Sequence, residues 1–286
     1  MAVLKMNFLS EALGMQTNVT ICLPTFNFED SFNGRSCVYI PGMKYQVMYL
    51  LHGGSGDDSD YVNFSNIVRY ADENKIAVIM PCGYNSCYTD SPDGSAKYYT
   101  YVTEELPKVM ETLFPISTRR EDTFVAGLSM GSHGAMKIAI NNPEKFAAAL
   151  IMSGSSYRPG VPRMVPCKNG VFDLEAATSK PPMSMGAITD MIEDPEFIRN
   201  TVNDVYAVAR KNAEEGKTLP ALFFRAGDCD TALYRAVLAE KELREMGYET
   251  KIEIVPGMRH EWDLWDDTLR LALREWLPIR HEVIYP

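Results

Sequence analysis

Short, nearly continuous apolar runs alternate along the chain with longer stretches in which apolar positions recur every three or four residues. The apolar runs are VTICLPT (19–25), YQVMYLLHG (45–53), AVIMPCG (77–83), TFVAGLS (123–129), FAAALIMSG (146–154), ALFFRAGD (221–228) and TKIEIVPG (250–257). Strands buried on both faces read this way, because neither face can afford a polar residue. Between them, SNIVRYADENK, YVTEELPKVMETLF, SHGAMKIAINNP, TALYRAVLAEKELREMG and WDLWDDTLRLALREWL carry helical periodicity. The alternation predicts an α/β fold with a mostly parallel central sheet and crossover helices on its faces. The first residues, MAVLKMNFLSEALGM, have their apolar positions broken by Lys5, Asn7, Ser10 and Glu11. That is an alternating strand and not the core of a signal peptide, so a cytoplasmic protein is expected.

One interval breaks the rhythm. Residues 155–220 separate two strands by far more than an ordinary connection and are rich in Pro and Met. Within them, 194–216 (DPEFIRNTVNDVYAVARKNAEEG) reads as one helix. The expectation is a single α/β domain over 1–286 with an insertion at about 155–220, lying over the carboxyl edge of the sheet.

Composition narrows the function classes. With 46% hydrophobic and 23% charged residues the chain can bury a full core, and no apolar run is long enough to span a membrane. A net charge of −10 opposes binding to nucleic acid or to anionic membrane surfaces. Six cysteines (22, 37, 82, 87, 167 and 229) include no CxxC pair. Without metal-type spacing they read as reduced thiols, and no metal site is expected, Cys82 and Cys87 included.

The chemistry concentrates at Gly127-Leu128-Ser129-Met130-Gly131, a GxSxG pentapeptide between an apolar strand and a helical segment. A strand that turns this sharply into a helix leaves no room for flanking side chains and holds the serine on an exposed, strained elbow. A chance Gly-Ser-Gly turn is the alternative. A serine hydroxyl needs a base. Of the four histidines, His260 stands between the last strand and the final helix, where a base can reach the elbow. His281 lies in the tail, and His133 shares the serine's helix and reads as a packing residue. The base needs an orienting acid, and Gly227-Asp228-Cys229-Asp230 offers two. Asp230, deeper in the loop, is preferred to Asp228, with a cap for the following helix as its alternative role. Leu51-His52-Gly53-Gly54 has the form of an oxyanion loop, so the amides of Gly54 and Met130 are the candidate oxyanion donors, with His52 bracing the loop. Trp262 and Trp265, on one helical face beside His260, could stack a substrate ring or simply pack the helix.

The runs YLLHGGSGD, AGLSMGSHGAMKIA, AGDCDTALY and PGMRHEWDLW resemble the esterase D branch of the α/β-hydrolases, in particular bacterial tributyrin esterases and feruloyl or acetyl-xylan esterases. The resemblance extends from about residue 2 to the Trp276-Leu277 helix. It implies a serine carboxylesterase without metal or organic cofactor, acting on small-molecule esters with short or aromatic acyl groups. It also implies Asp230 as the acid. Ser132 departs from the glycine of many relatives, and the Pro/Met-rich 155–190 stretch has no clear counterpart. Three rivals remain open: an S-formylglutathione hydrolase, a catalytically silent binding module, and acyl transfer to a sugar. Self-association into a homo-oligomer is left open as well.

Overall fold

Side chains alternate across each central strand, and this decides which residues meet which layer of helices. The computed structural model describes residues 1–32, 39–180 and 186–284. Its main sheet contains β1 (Ala2–Ser10), β2 (Met15–Leu23), β3 (Gln46–Leu51), β4 (Ile76–Pro81), β5 (Thr123–Leu128) and β6 (Ala148–Met152). A small hairpin, β7 (Cys167–Lys168) with β8 (Val171–Phe172), stands apart, and β9 (Ala221–Gly227) and β10 (Thr250–Val255) complete the sheet. The order is β1-β2-β4-β3-β5-β6-β9-β10. From β4 to β10 all neighbours are parallel, while β1 and β2 form an antiparallel edge. The mostly parallel sheet expected from the pattern is present.

Val47, Tyr49, Leu51, Val125, Ala149 and Ile151 face one layer, whose center is the helix Met130–Asn141. Met48, Leu50, Phe124, Ala126, Leu150 and Met152 face the other, covered by the final helix Trp262–Leu271 through Leu264, Trp265 and Leu269. Each of the larger aliphatic, Met and Phe side chains among them is worth roughly 1.5–3 kcal/mol of transfer free energy. The Met130–Asn141 helix is buried on every side from Met130 to Ile140. That explains why most of its residues are small or apolar.

Two helical segments differ from expectation. The stretch expected from 101 begins at Tyr98 and runs to Leu113, widened into a π turn at Tyr101–Glu105. Pro107 has no N–H for the carbonyl of Thr103, which instead accepts from Lys145 Nζ at 3.2 Å. The single helix read over 194–216 is two pieces, Pro195–Ile198 and Val205–Glu214. Asn200 between them has φ +60°. Asn141 Nδ2 donates to Val202 O at 2.9 Å, so contacts with the neighbouring helix draw on groups a continuous helix would have used itself. Cys37 and the run 181–185 lie outside the described residues.

Candidate active site

The serine, the histidine and the acid arrive at the carboxyl edge of the sheet from three different connections. Ser129 follows β5 with φ +54° and ψ −112°, the strained conformation expected of the elbow. Steric limits explain both flanking glycines. A Cβ on Gly127 would stand 2.2 Å from Gly131 O, and one on Gly131 would stand 2.2 Å from Leu51 O. Ser132 has a structural use: its hydroxyl donates to Ser129 O at 2.5 Å.

His260 lies in the connection from β10 to the final helix. Its Nε2 is 2.9 Å from Ser129 Oγ and its Nδ1 is 3.0 Å from Asp230 Oδ1. With Nδ1–H donating to the carboxylate, Nε2 is free to accept the serine proton. Asp230 is wholly buried. Burial alone would raise its carboxyl, but the hydrogen bond and charge interaction with His260, helped by Ser153 and the Ala232 amide, hold it below its ordinary value. The same Oδ1 accepts from Ala232 N at 2.8 Å, in the turn before the helix Leu233–Glu245; that helix's N-cap is Ala232, so Asp230 is not its N-cap. Asp228 does something else. Its Oδ1 accepts from Gly257 N at 2.7 Å and pins the turn that precedes His260.

The Leu51–Gly54 loop closes the site from β3. His52 is buried, which lowers its pKa and favours the neutral ring. Nδ1 lies 2.7 Å from Gly53 O and Nε2 receives Gly83 N–H at 2.8 Å, so a ring protonated at Nδ1 satisfies both. His52 therefore braces the loop. The Gly54 amide has no acceptor among the described residues, and Met130, as the first residue of its helix, has no intrahelical one.

The two tryptophans divide. Trp265 is buried, its Nε1–H donates to Ser153 Oγ at 2.8 Å, and its ring meets the His260 ring edge-on at 5.1 Å. Of the two readings left open for it, stacking a substrate ring or packing the helix, this geometry is that of a packing residue. Trp262 is half-buried between Tyr61 and Phe64, with ring centroids 5.5 and 5.2 Å away. His133 packs as expected: Tyr157 N and Ser156 Oγ lie 3.1 Å from its Nδ1, and its ring stacks on Tyr157. His281, read as a tail residue, contacts Asn74. Among the described residues no cluster of His, Cys, Asp or Glu is arranged to hold a metal ion, and no helix is long and apolar enough to cross a membrane.

Sequence reasoning did not single out residues 83–89. Ser55 N donates to Asn85 Oδ1 at 2.7 Å, Tyr88 OH to His52 O at 2.9 Å, and Gly83 N to His52. The 83–89 loop thus supports the loop that follows β3. The turn-rich composition GYNSCY was the available signal.

A mostly parallel sheet with a serine elbow, histidine and buried acid at its carboxyl edge defines an α/β-hydrolase. The sequence matches the family described as "Putative esterase" over residues 10–270, and the chain belongs to that family of ester-hydrolysing enzymes. It is 25% identical to an acetyl esterase of Caldicellulosiruptor saccharolyticus, over 97% of this chain and 98% of that protein. Two solved Staphylococcus aureus structures are each 28% identical over 97% of this chain and 98% of theirs. They are fluorophosphonate-binding serine hydrolase F (TM-score 0.78) and an S-formylglutathione hydrolase (TM-score 0.75).

Proposed function

We propose that the protein is a serine carboxylesterase cleaving short acyl (acetyl to butyryl) or aromatic acyl esters, with Ser129 as nucleophile, His260 as base and Asp230 as the orienting acid. The observation that carries this reading is the continuous chain from Ser129 Oγ through both His260 nitrogens to the buried Asp230. His260 takes the serine proton as Oγ attacks the ester carbonyl. The Gly54 and Met130 amides receive the oxyanion, and the protonated histidine releases the alcohol. Water then repeats the sequence on the acyl-enzyme. Intact geometry at all three side chains disfavours a silent binding module. Trp262, with the exposed Phe64 beside it, supplies an aromatic edge for an aromatic acyl or sugar ring.

Residues 1–286 are read as one domain in which 155–220 is an insertion supporting the site. Gly170 N and Cys167 Sγ of the small hairpin both donate to Asp228 O, at 2.8 and 3.0 Å, next to the acid. The five described cysteines are free, in keeping with a reducing cytoplasm. The decisive test is labelling by a fluorophosphonate, expected at Ser129 in the wild type and absent in Ser129→Ala. That variant should also lose at least about 10³-fold in turnover while keeping its circular dichroism spectrum. Turnover on p-nitrophenyl acetate, butyrate, octanoate and palmitate, with methyl ferulate and S-formylglutathione alongside, decides the substrate. A maximum at octanoate or longer would refute the short-acyl reading, and a dominant S-formylglutathione rate would favour the thioesterase.

A further inference from the structure

Lys137 is the outstanding charged group that the proposed chemistry leaves unused. It stands eight residues beyond Ser129 on the same helix, about 12 Å along its axis, and has no exposed surface. Its burial is costly and pushes the ammonium down from its ordinary 10.5 to about 7. A side chain of similar length without charge would fill the same space at no such cost. The contacts show what the charge achieves. Nζ donates to Thr89 Oγ1 at 2.5 Å, to Cys87 O at 3.1 Å and to Asn203 Oδ1 at 3.1 Å. Three acceptors match the three N–H bonds of an ammonium.

Two of those acceptors belong to the 83–89 loop, and that loop holds the oxyanion loop at three points. Gly83 N meets His52 Nε2, Tyr88 OH meets His52 O, and Asn85 Oδ1 receives Ser55 N. Tyr88 is itself wedged against the serine's helix: a Cβ on Gly134 would stand 2.5 Å from its ring. The loop is otherwise strained, with positive φ at Tyr84, Cys87 and Tyr88. A segment in unfavourable backbone conformations keeps its shape only when its surroundings over-determine it. The ammonium supplies that determination from the helix that also presents Ser129 and Met130.

We propose that Lys137 is a positioning residue for the oxyanion site: it ties the 83–89 loop to the Ser129 helix, and so fixes the Gly54 donor relative to the Ser129 and Met130 side of the hole. The two donors come from different connections, and Lys137 with the 83–89 loop forms the polar strut between them. Asn203, the third acceptor, ties the 155–220 insertion to the same strut. The inference rests on the proposed esterase reading.

The test compares wild type, Lys137→Met, Thr89→Val and Asn85→Ala, with activity expressed per fluorophosphonate-titrated site. Loss of one oxyanion donor costs about 10²–10³-fold in turnover, and a misplaced donor costs less. Lys137→Met should lower kcat per titrated site by about 10- to 100-fold with KM within about threefold. Asn85→Ala, a partly exposed change at the far end of the strut, should lower kcat in the same way. The Lys137→Met/Asn85→Ala double variant should lose less than the product of the two single effects, because both loosen one loop. Thr89→Val removes a single acceptor and serves if the lysine variant does not fold. A merely structural lysine would reduce the fraction of titratable sites and leave kcat per site unchanged, and that result in Lys137→Met or, if it is unfolded, Thr89→Val would overturn the inference. Failure of the wild type to label at Ser129 would overturn the esterase reading and this inference together.

Discussion

Two demands meet on one oxygen at Asp230. The atom that accepts from the Ala232 amide also faces His260 Nδ1, so the turn that starts the helix Leu233–Glu245 aims the carboxylate at the base. Because the folded state holds this carboxyl below its ordinary value, the pairing stabilises the protein at neutral pH and loses that contribution as the pH falls through the lowered value. Asp228 faces the other way and is hydrogen-bonded to Gly257. Asp230→Asn should therefore reduce kcat by up to about 10⁴-fold, since an amide favours the wrong imidazole tautomer. Asp228→Asn keeps an oxygen that can accept from Gly257 N and should cost less than about tenfold. Steady-state kinetics on p-nitrophenyl acetate ranks the two, and the reverse order would transfer the acid's role to Asp228.

Connections at the end of β9 show how elements, and not single side chains, bring the histidine home. The 257–260 segment crosses directly over the last residue of that strand: a Cβ on Gly227 would stand 2.0 Å from Met258 O and 2.3 Å from its carbonyl carbon. Cys229 N donates to the same Met258 O at 3.0 Å. Backbone is what would collide, so no rotamer change relieves it. Gly227→Ala should force the segment outward, destabilise the fold by about 1–3 kcal/mol and lengthen the Ser129–His260 contact. Thermal unfolding and kcat measured together test this, and a variant with wild-type values of both would show that the crossing is looser than it stands. The elbow obeys the same rule at β5, where Gly131 lies against Leu51 and His52 carbonyls. Both close approaches seat the site directly on strand ends, which are its most rigid supports.

The field of the whole molecule acts on substrate choice. A net charge of −10 repels anionic substrates at long range and leaves neutral ones unaffected. For an anionic thioester such as S-formylglutathione, kcat/KM should rise when salt increases from about 10 to about 200 mM, as the Debye length falls from about 30 Å to below 10 Å. For p-nitrophenyl acetate it should stay constant within about 20%. A salt-independent ratio of the two would show that cations at the site's own rim outweigh the overall charge.

The one-dimensional pattern by itself determined the layers. Apolar runs bounded by turn residues gave β3 to β6, β9 and β10 to within two residues or so, and the alternating N-terminus gave β1, because strand burial and side-chain alternation are local properties of sequence. The serine elbow was legible for a similar reason: its glycines, serine and flanking elements are contiguous. His260 followed from chain order. Tertiary structure alone decided the rest. Asp228 and Asp230 are chemically alike and two residues apart, and only the turn at 228–230 directs one to His260 and the other to Gly257. Trp265 and Trp262 share a helical face, yet packing buried one under the histidine and left the other half open. The helix read through 194–216 gave way at 199–204, where Asn141 and Lys137 hold Val202 and Asn203. Lys137 carried no signal at all, since a lysine in an apolar helix reads as a solvent-facing residue until the fold covers every side of that helix and leaves its charge three acceptors. Periodicity records which residues prefer to be buried, and the pairing of buried polar groups is set by segments far apart in sequence that meet only when the sheet has formed.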